Sequence, residues 1–361
     1  MEKNRRDFLK MMGAAAAAVA MPACARYPEK QKSPKPAAQT PLPRWRGFNL
    51  LEMFTMQSKG HFLEDDFRWM RDWGFDFVRL PTCYRLWIED ADDYRLYEPM
   101  LEKIDRAVEL ADKYGLHISL SLHRGPGYSV NREFTEPHNL WKDAEPLEAF
   151  CFHWQMFAKR YRGVPKDKLS FDLINEPPAV GERMSRADHE RVIRTAVAAI
   201  REISGDRIII ADGTSWGNEP APELADLRIA QSCRAYQPMF LTHYKAQWVN
   251  SDSFPEPEWP GHGWDRKRLE QHYRKWADLA GKGAGVHCGE GGAYNKTPHN
   301  IVLVWLRDTL EILTGHGIGL ALWNLRGSFG ILDSDRKDIT YENFHGHKLD
   351  RKLLNLLRQF E

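Results

Sequence analysis

From residue 46 to residue 360 the chain alternates eight times between a short apolar run and a longer segment with helical spacing. Residues 46–51, 75–81, 116–123, 169–176, 207–212, 228–236, 285–290 and 317–325 read as strands. Residues 64–73, 99–114, 147–161, 188–203, a short helix near Glu223, 265–280, 299–314 and 349–360 read as helices, several stopped by glycine (Gly74, Gly115). Alternation of this kind implies a parallel sheet. Eight units predict closure into a (β/α)8 TIM barrel whose site lies at the C-terminal strand ends. An open doubly wound sheet would call for a glycine-rich phosphate turn after its first strand, and Arg46-Gly47-Phe48-Asn49 is no such turn.

Ahead of the barrel the chain carries an address. Asn4-Arg5-Arg6-Asp7-Phe8-Leu9-Lys10 precedes an uncharged, alanine-rich run over 11–21, too short to span a bilayer comfortably. The pattern resembles a twin-arginine export signal, so residues 1–25 are set apart from the fold. Cys24, after Met21-Pro22-Ala23, makes this signal a candidate of the lipoprotein type; plain cleavage nearby is the alternative. Residues 26–43 hold five prolines among Lys, Gln and Ser and read as a tether, leaving 44–361 as one catalytic domain. The expected location is the periplasm or outer surface of a bacterium, with membrane attachment only through a lipid at Cys24.

The balance of 51 Lys and Arg against 50 Asp and Glu argues against nucleic acid or an anionic membrane as partner. Thirteen tryptophans suit a carbohydrate substrate, although most of any such set is core packing. The cysteines beyond Cys24, namely Cys83, Cys151, Cys233 and Cys288, lack CxxC spacing and are expected as free thiols. A monomer without cofactor or metal is expected.

The strand ends deliver polar groups to one face: Asn49, Arg79, His123, Asn175 with Glu176, Arg234 with Tyr236, Glu290 and Trp323. Two glutamates in such a ring suit glycoside cleavage, one protonating the departing oxygen while the other attacks the anomeric carbon. Arg79 is the expected partner of Glu290, because a fixed positive charge keeps a carboxylate ionised.

These residues resemble glycoside hydrolase family 5, the cellulase-like β-glycosidases. The resemblance rests on Arg46-Gly47-Phe48-Asn49, Phe77-Val78-Arg79-Leu80-Pro81, Leu122-His123, Leu173-Ile174-Asn175-Glu176-Pro177, His287-Cys288-Gly289-Glu290 and Leu322-Trp323. It implies Glu176 as acid/base, Glu290 as nucleophile, Arg79 and His123 as supporting residues, and Trp323 as the floor under the cleaved sugar. One departure concerns substrate choice. The family usually places a histidine two residues before the tyrosine ending strand six, where Arg234 precedes Tyr236 here. His243-Tyr244 is the matching pair in a shifted alignment; Tyr236 is preferred, and is expected to bond Glu290. Arg234 in the pocket would favour a different hydroxyl pattern or an acidic sugar.

The loop over 237–264, with Trp248, Trp259 and Trp264, is expected either to form sugar subsites or to pack on itself. Asp333 is a further candidate for sugar hydroxyls, and His345-Gly346-His347 is not assigned a metal. The competing function is a non-catalytic glycan-binding surface lipoprotein on the same scaffold, which an intact glutamate pair disfavours. A metal-dependent barrel hydrolase would need a His-x-His on strand one, and residues 46–51 hold no histidine.

Overall fold

The computed structural model describes residues 42–131 and 135–361, so the export signal, Cys24 and the tether up to residue 41 lie outside the described residues. Eight parallel strands form the centre: β1 (Gly47–Asn49), β2 (Phe77–Cys83), β3 (His117–Gly125), β4 (Leu169–Asp172), β5 (Ile208–Asp212), β6 (Ala230–Ala235), β7 (Val286–Gly291) and β8 (Leu320–Leu322). Each pairs in parallel with the next, and β8 pairs with β1, which closes the barrel. Around it run α1 (Glu64–Asp72), α2 (Glu98–Tyr114), α3 (Ala144–Arg160), α4 (Arg186–Arg201), α5 (Arg266–Gly281), α6 (His299–Gly315) and α7 (Arg351–Arg358). The helix expected near Glu223 is only a 3-10 turn, Pro222–Leu227. Its Pro222 supplies no N–H, and the segment is too short to complete two α-helical turns.

Local chemistry sets the helix ends. Ser185 caps α4 by accepting from Asp188 N–H at 3.2 Å, while the Asp188 carboxylate accepts from Ser185 N–H at 2.8 Å. Gly115 ends α2 in the left-handed conformation.

Alternation along the strands sorts side chains into two populations. Val78, Leu80, Cys233, Cys288 and Leu322 face outward into the apolar layer under the helices. Inside, Trp45, Phe77, Ile210, Ala230 and Ala321 plug the N-terminal end, with Trp45 stacked on His117 at 3.9 Å. Leu42 packs against this plug, so the last residues assigned to the tether already belong to the barrel. The apolar plug leaves the opposite end of the interior to polar side chains.

Two hairpins decorate the barrel without a clear sequence signal: Ile88–Glu89 with Asp92–Leu96, and Glu342–Phe344 with His347–Leu349. Their turns place Asp90 and Ala91, and His345 and Gly346, at positive φ, as two-residue hairpin turns require. The His345-x-His347 pair is engaged in packing: His345 stacks on Trp69 at 5.4 Å, and His347 Nδ1 lies 2.8 Å from Asp333 Oδ2.

Candidate active site

The polar residues expected at the strand ends converge. Arg79, on β2, is 1% exposed and hydrogen-bonds five side chains. Its Nη1 donates to Glu290 Oε1 at 2.6 Å and to Asn49 Oδ1 at 3.1 Å. Its Nη2 donates to Ser121 Oγ at 2.8 Å and Asn175 Oδ1 at 2.9 Å, and its Nε donates to Asp172 Oδ2 at 2.6 Å. Asn49 in turn donates to the carbonyls of Gly289 and Leu322, tying β1 to the ends of β7 and β8.

Glu290 faces inward because β7 is bulged. Strict alternation puts His287 and Gly289 inside and Cys288 and Glu290 outside. The register runs from Cys288 opposite Cys233 directly to Glu290 opposite Arg234, so Gly289 is an extra residue and Glu290 turns into the barrel. A Cβ at Gly289 would lie 2.7 Å from Ser232 Oγ and 3.2 Å from Arg234 Nη1, so a side chain there would displace the Ser232–Arg234 contact.

Glu176 lies four residues beyond the end of β4 rather than on it. Its φ of 49° is left-handed, a costly conformation for a residue with a side chain. Neighbours hold it there. Its N–H donates to Asp212 Oδ2 at 2.8 Å, and its carbonyl accepts from Tyr128 Oη at 2.6 Å. Trp216 N–H donates to the next carbonyl, that of Pro177, at 2.9 Å.

Arg234 is also 1% exposed, and its guanidinium lies between the two glutamates. Nε donates to Glu176 Oε1 at 3.2 Å, and Nη2 lies 3.4 Å from Glu290 Oε1. Asp212 accepts from both Nη atoms, and Asn175 Oδ1 and Ser232 Oγ accept from Nη2 and Nη1 at 2.8 and 2.9 Å. Every donor of this guanidinium already meets a protein acceptor, which leaves none turned toward a sugar.

Tyr236 Oη donates to Glu290 Oε2 at 3.2 Å. The shifted alternative, Tyr244, bonds Glu256 away from the pair. His243 packs edge-on to Tyr236 at 5.0 Å between ring centres, with Nδ1 3.0 Å from Thr242 Oγ1. His123 accepts from Asn175 Nδ2 at Nε2 (3.3 Å), taking Nδ1 as its protonated nitrogen. Phe54 stands edge-on to both His123 (4.6 Å) and Trp323 (5.4 Å), and half-buried Trp323 lies 5.5 Å from His123 between ring centres.

Two buried aspartates escaped the sequence reading, Asp172 and Asp212. Each ends an apolar run (Leu169–Asp172, Ile208–Asp212), the signal that singled out His123 and Glu290. Two guanidiniums therefore face four carboxyl groups, an excess of acid that burial opposes by favouring protonation. Burial first, then the charge of Glu290, pushes the Glu176 carboxyl up to about 8 against the pull of Arg234. Burial and Asp212 together push Asp172 up to about 6. Burial, then Arg79 and Arg234, holds the His123 ring neutral, well below the usual histidine range.

Of the loop tryptophans, Trp248 alone stands open, 55% exposed and edge-on to Tyr294 at 4.9 Å. Trp259 donates to Asp308 at 2.8 Å, and Trp264 lies under the Arg268 guanidinium. Asp333 accepts from Lys348 N–H at 2.9 Å and pairs with His347, so it is occupied by protein partners. The four cysteines are free: Cys83, Cys233 and Cys288 are buried and Cys151 is half-buried.

A closed barrel with two inward glutamates at its C-terminal mouth defines a carbohydrate-cleaving barrel enzyme, and the comparisons agree. The model of cellulase (glycosyl hydrolase family 5) matches residues 36–328. This chain belongs to glycosyl hydrolase family 5. It is 28% identical over 335 residues to Endoglucanase C of Acetivibrio thermocellus, covering 82% of this chain and 95% of that protein. It is 29% identical over 267 residues to Cellodextrinase A of Ruminococcus flavefaciens, covering 71% of this chain and 76% of that protein. A crystal structure described as a glycoside hydrolase superposes with a TM-score of 0.85 at 38% identity, over 88% of this chain and 99% of the other. Endoglucanase Cel5A of Thermotoga maritima shares the fold, with a TM-score of 0.72 at 22% identity over 87% of this chain and 96% of the other. The model of the twin-arginine translocation signal matches residues 4–22, which marks the chain for export across a membrane.

Proposed function

We propose that this glycoside hydrolase is a retaining enzyme that cleaves the O-glycosidic bonds of a β-linked glycan or oligosaccharide by double displacement, with Glu290 as nucleophile and Glu176 as acid/base. The observation that carries this reading is the contact of one guanidinium with both carboxyl groups. Carboxyl groups that both reach the Arg234 guanidinium lie near one another, which favours the roughly 5–5.5 Å of a retaining pair over the wider spacing of an inverting one.

In the first step Glu290 attacks the anomeric carbon while Glu176 gives its proton to the departing oxygen, leaving a glycosyl ester on Glu290. In the second, Glu176 takes a proton from water, the hydroxide oxygen displaces Glu290 from the anomeric carbon, and the starting charges return. The raised affinity of Glu176 for its proton suits the acid role. Arg79 and Tyr236 hold Glu290 in line by its two oxygens. His123 and Asn175 line the site, and Trp323 forms the floor for the cleaved sugar. His243 and Trp248 extend the wall on the other side of Tyr236.

The test is hydrolysis of aryl β-glycosides and of β-glucan, mannan and xylan oligosaccharides, beside Glu176→Gln, with product anomers followed by NMR. The expected result is one active glycan class, β product formed first, and loss in the variant. An α product formed first would overturn retention; a variant as active as wild type would overturn the role of Glu176. The leader further suggests a location in the periplasm or on the outer surface, with Cys24 as a lipid site. Detergent-phase partitioning that is lost in Cys24→Ser would support the anchor, and partitioning into the aqueous phase from the outset would remove it.

A further inference from the structure

Arg234 is too enclosed to be a substrate reader and too well placed to be packing alone. Its aliphatic stem is gripped as tightly as its head: a Cβ at Gly217 would lie 2.6 Å from Arg234 Cγ, and Tyr273 Oη donates to its backbone carbonyl at 3.3 Å. The chain has thus shaped β5, β6 and their loops around this side chain. Asp212, itself buried, accepts from two of its nitrogens and from the Glu176 backbone N–H. One aspartate therefore fixes both the guanidinium and the glutamate that the guanidinium touches.

We infer that Arg234, anchored by Asp212, is a positioning residue whose single guanidinium is counter-ion to both glutamates and sets the pH window in which they work. This inference rests on the roles given to Glu176 and Glu290 above. Arg79 cannot substitute for it. Its donors reach Glu290, Asn49, Ser121, Asn175 and Asp172, with none on Glu176, so Arg234 is the cation that hydrogen-bonds Glu176. When Glu290 becomes a neutral ester, the full charge of Arg234 is left to Glu176 and Asp212. That favours the ionised Glu176 which the second step needs.

The groups that face this pair come from every side. Glu176 and Asp172 come from β4 and its extension, Glu290 from β7, and Asp212 from β5. Arg79 comes from β2, His123 from β3, and Tyr236 from the end of β6. Within this set Arg234 opposes ionisation loss at Glu176, whereas Asp212 and Glu290 promote it. Removing Arg234 and removing Asp212 should therefore move Glu176 in opposite directions, an outcome that a merely structural ion pair does not produce.

The test is a titration of the Glu176 carboxyl by 13C NMR on the mature chain carrying labelled glutamate, assigned with Glu176→Gln. It is run beside the pH profile of kcat/KM on cellotetraose or on whichever glycan the panel selects. Arg234→Gln should raise the Glu176 midpoint by about one unit or more, and the alkaline limb of the profile with it. Asp212→Asn should lower both, and Arg234→Lys should keep both near wild type. Should Arg234→Gln fail to fold, the double change Arg234→Gln with Asp212→Asn keeps the buried charge balanced and should give a smaller rise. Shifts of the same sign in both single variants, or midpoints unmoved in either the single or the double variants, would overturn the inference. Midpoints that move as expected in a chain silent on every glycan would uphold the counter-ion and overturn the hydrolytic roles instead.

Discussion

Arg79 Nη1 stands 2.6 Å from Glu290 Oε1, and both side chains are almost wholly withdrawn from water. A full salt bridge at that depth offsets the cost of withdrawing both charges from water and directs the Glu290 carboxyl group. Glu290→Ala should therefore cut turnover by several orders of magnitude while the far-ultraviolet circular dichroism stays native. Azide added to the variant should yield a glycosyl azide, since a small anion can enter the vacated position. Wild-type rates in Glu290→Ala would remove it from the mechanism.

The dependence on the leaving group distinguishes the second glutamate. Glu176→Gln keeps the shape but has no proton to give, so hydrolysis of oligosaccharides should fall by about 10²–10⁴-fold. Formation of the glycosyl-enzyme from a 2,4-dinitrophenyl glycoside, whose leaving group needs no proton, should change little. Pre-steady-state release of dinitrophenol measures it; an equal loss on both substrates would contradict the acid role.

Activity should decline on the alkaline side as pH rises through about 8, where Glu176 gives up its proton. The sign follows from the first step, which requires the protonated form. A profile still rising beyond pH 9 would place the proton donor elsewhere.

Half-buried Trp323 is braced edge-on by Phe54 at 5.4 Å, and its proposed role is the floor under the sugar. Trp323→Ala should lower kcat/KM roughly 10–100-fold through lost stacking and apolar contact. Steady-state kinetics on the active glycan would show this, and an unchanged kcat/KM would mean that the ring only covers the barrel.

Acid stability should depend on His287. It is fully buried against Phe77, both ring nitrogens lack a hydrogen-bond partner, and burial followed by Arg79 pushes its pKa down to about 3. A base with a depressed folded pKa contributes stability above its unfolded value, near 6.5, that is lost as pH falls toward the folded one. His287→Leu should flatten the fall in unfolding free energy between pH 6.5 and 5 by up to about 1.4 kcal/mol per pH unit. Urea unfolding at the two pH values measures it, and parallel slopes in both proteins would show that His287 does not carry the effect.

Periodicity and strand-end polarity were enough to read the closed barrel, its single mouth and the two glutamates, because local patterns of burial and hydrogen bonding determine strands and helices. The same patterns misplace what the site depends on. Alternation from His287 would put Glu290 outside the barrel; only the bulge at Gly289, a matter of register between β6 and β7, turns it inward. Glu176 reads as a strand end, yet it sits past β4 in a left-handed conformation held by Tyr128 and Asp212 from other segments. Arg234 reads as an open positive charge available to a sugar. It is fully engaged because Asp212 and Asn175, 22 and 59 residues away in sequence, fold against it. The sequence by itself determined most of the groups that reach the mouth of the barrel, Asp172 and Asp212 excepted. Tertiary structure alone decided which way they point and which charge answers which, since pairing across strands depends on separations in space that no local pattern encodes.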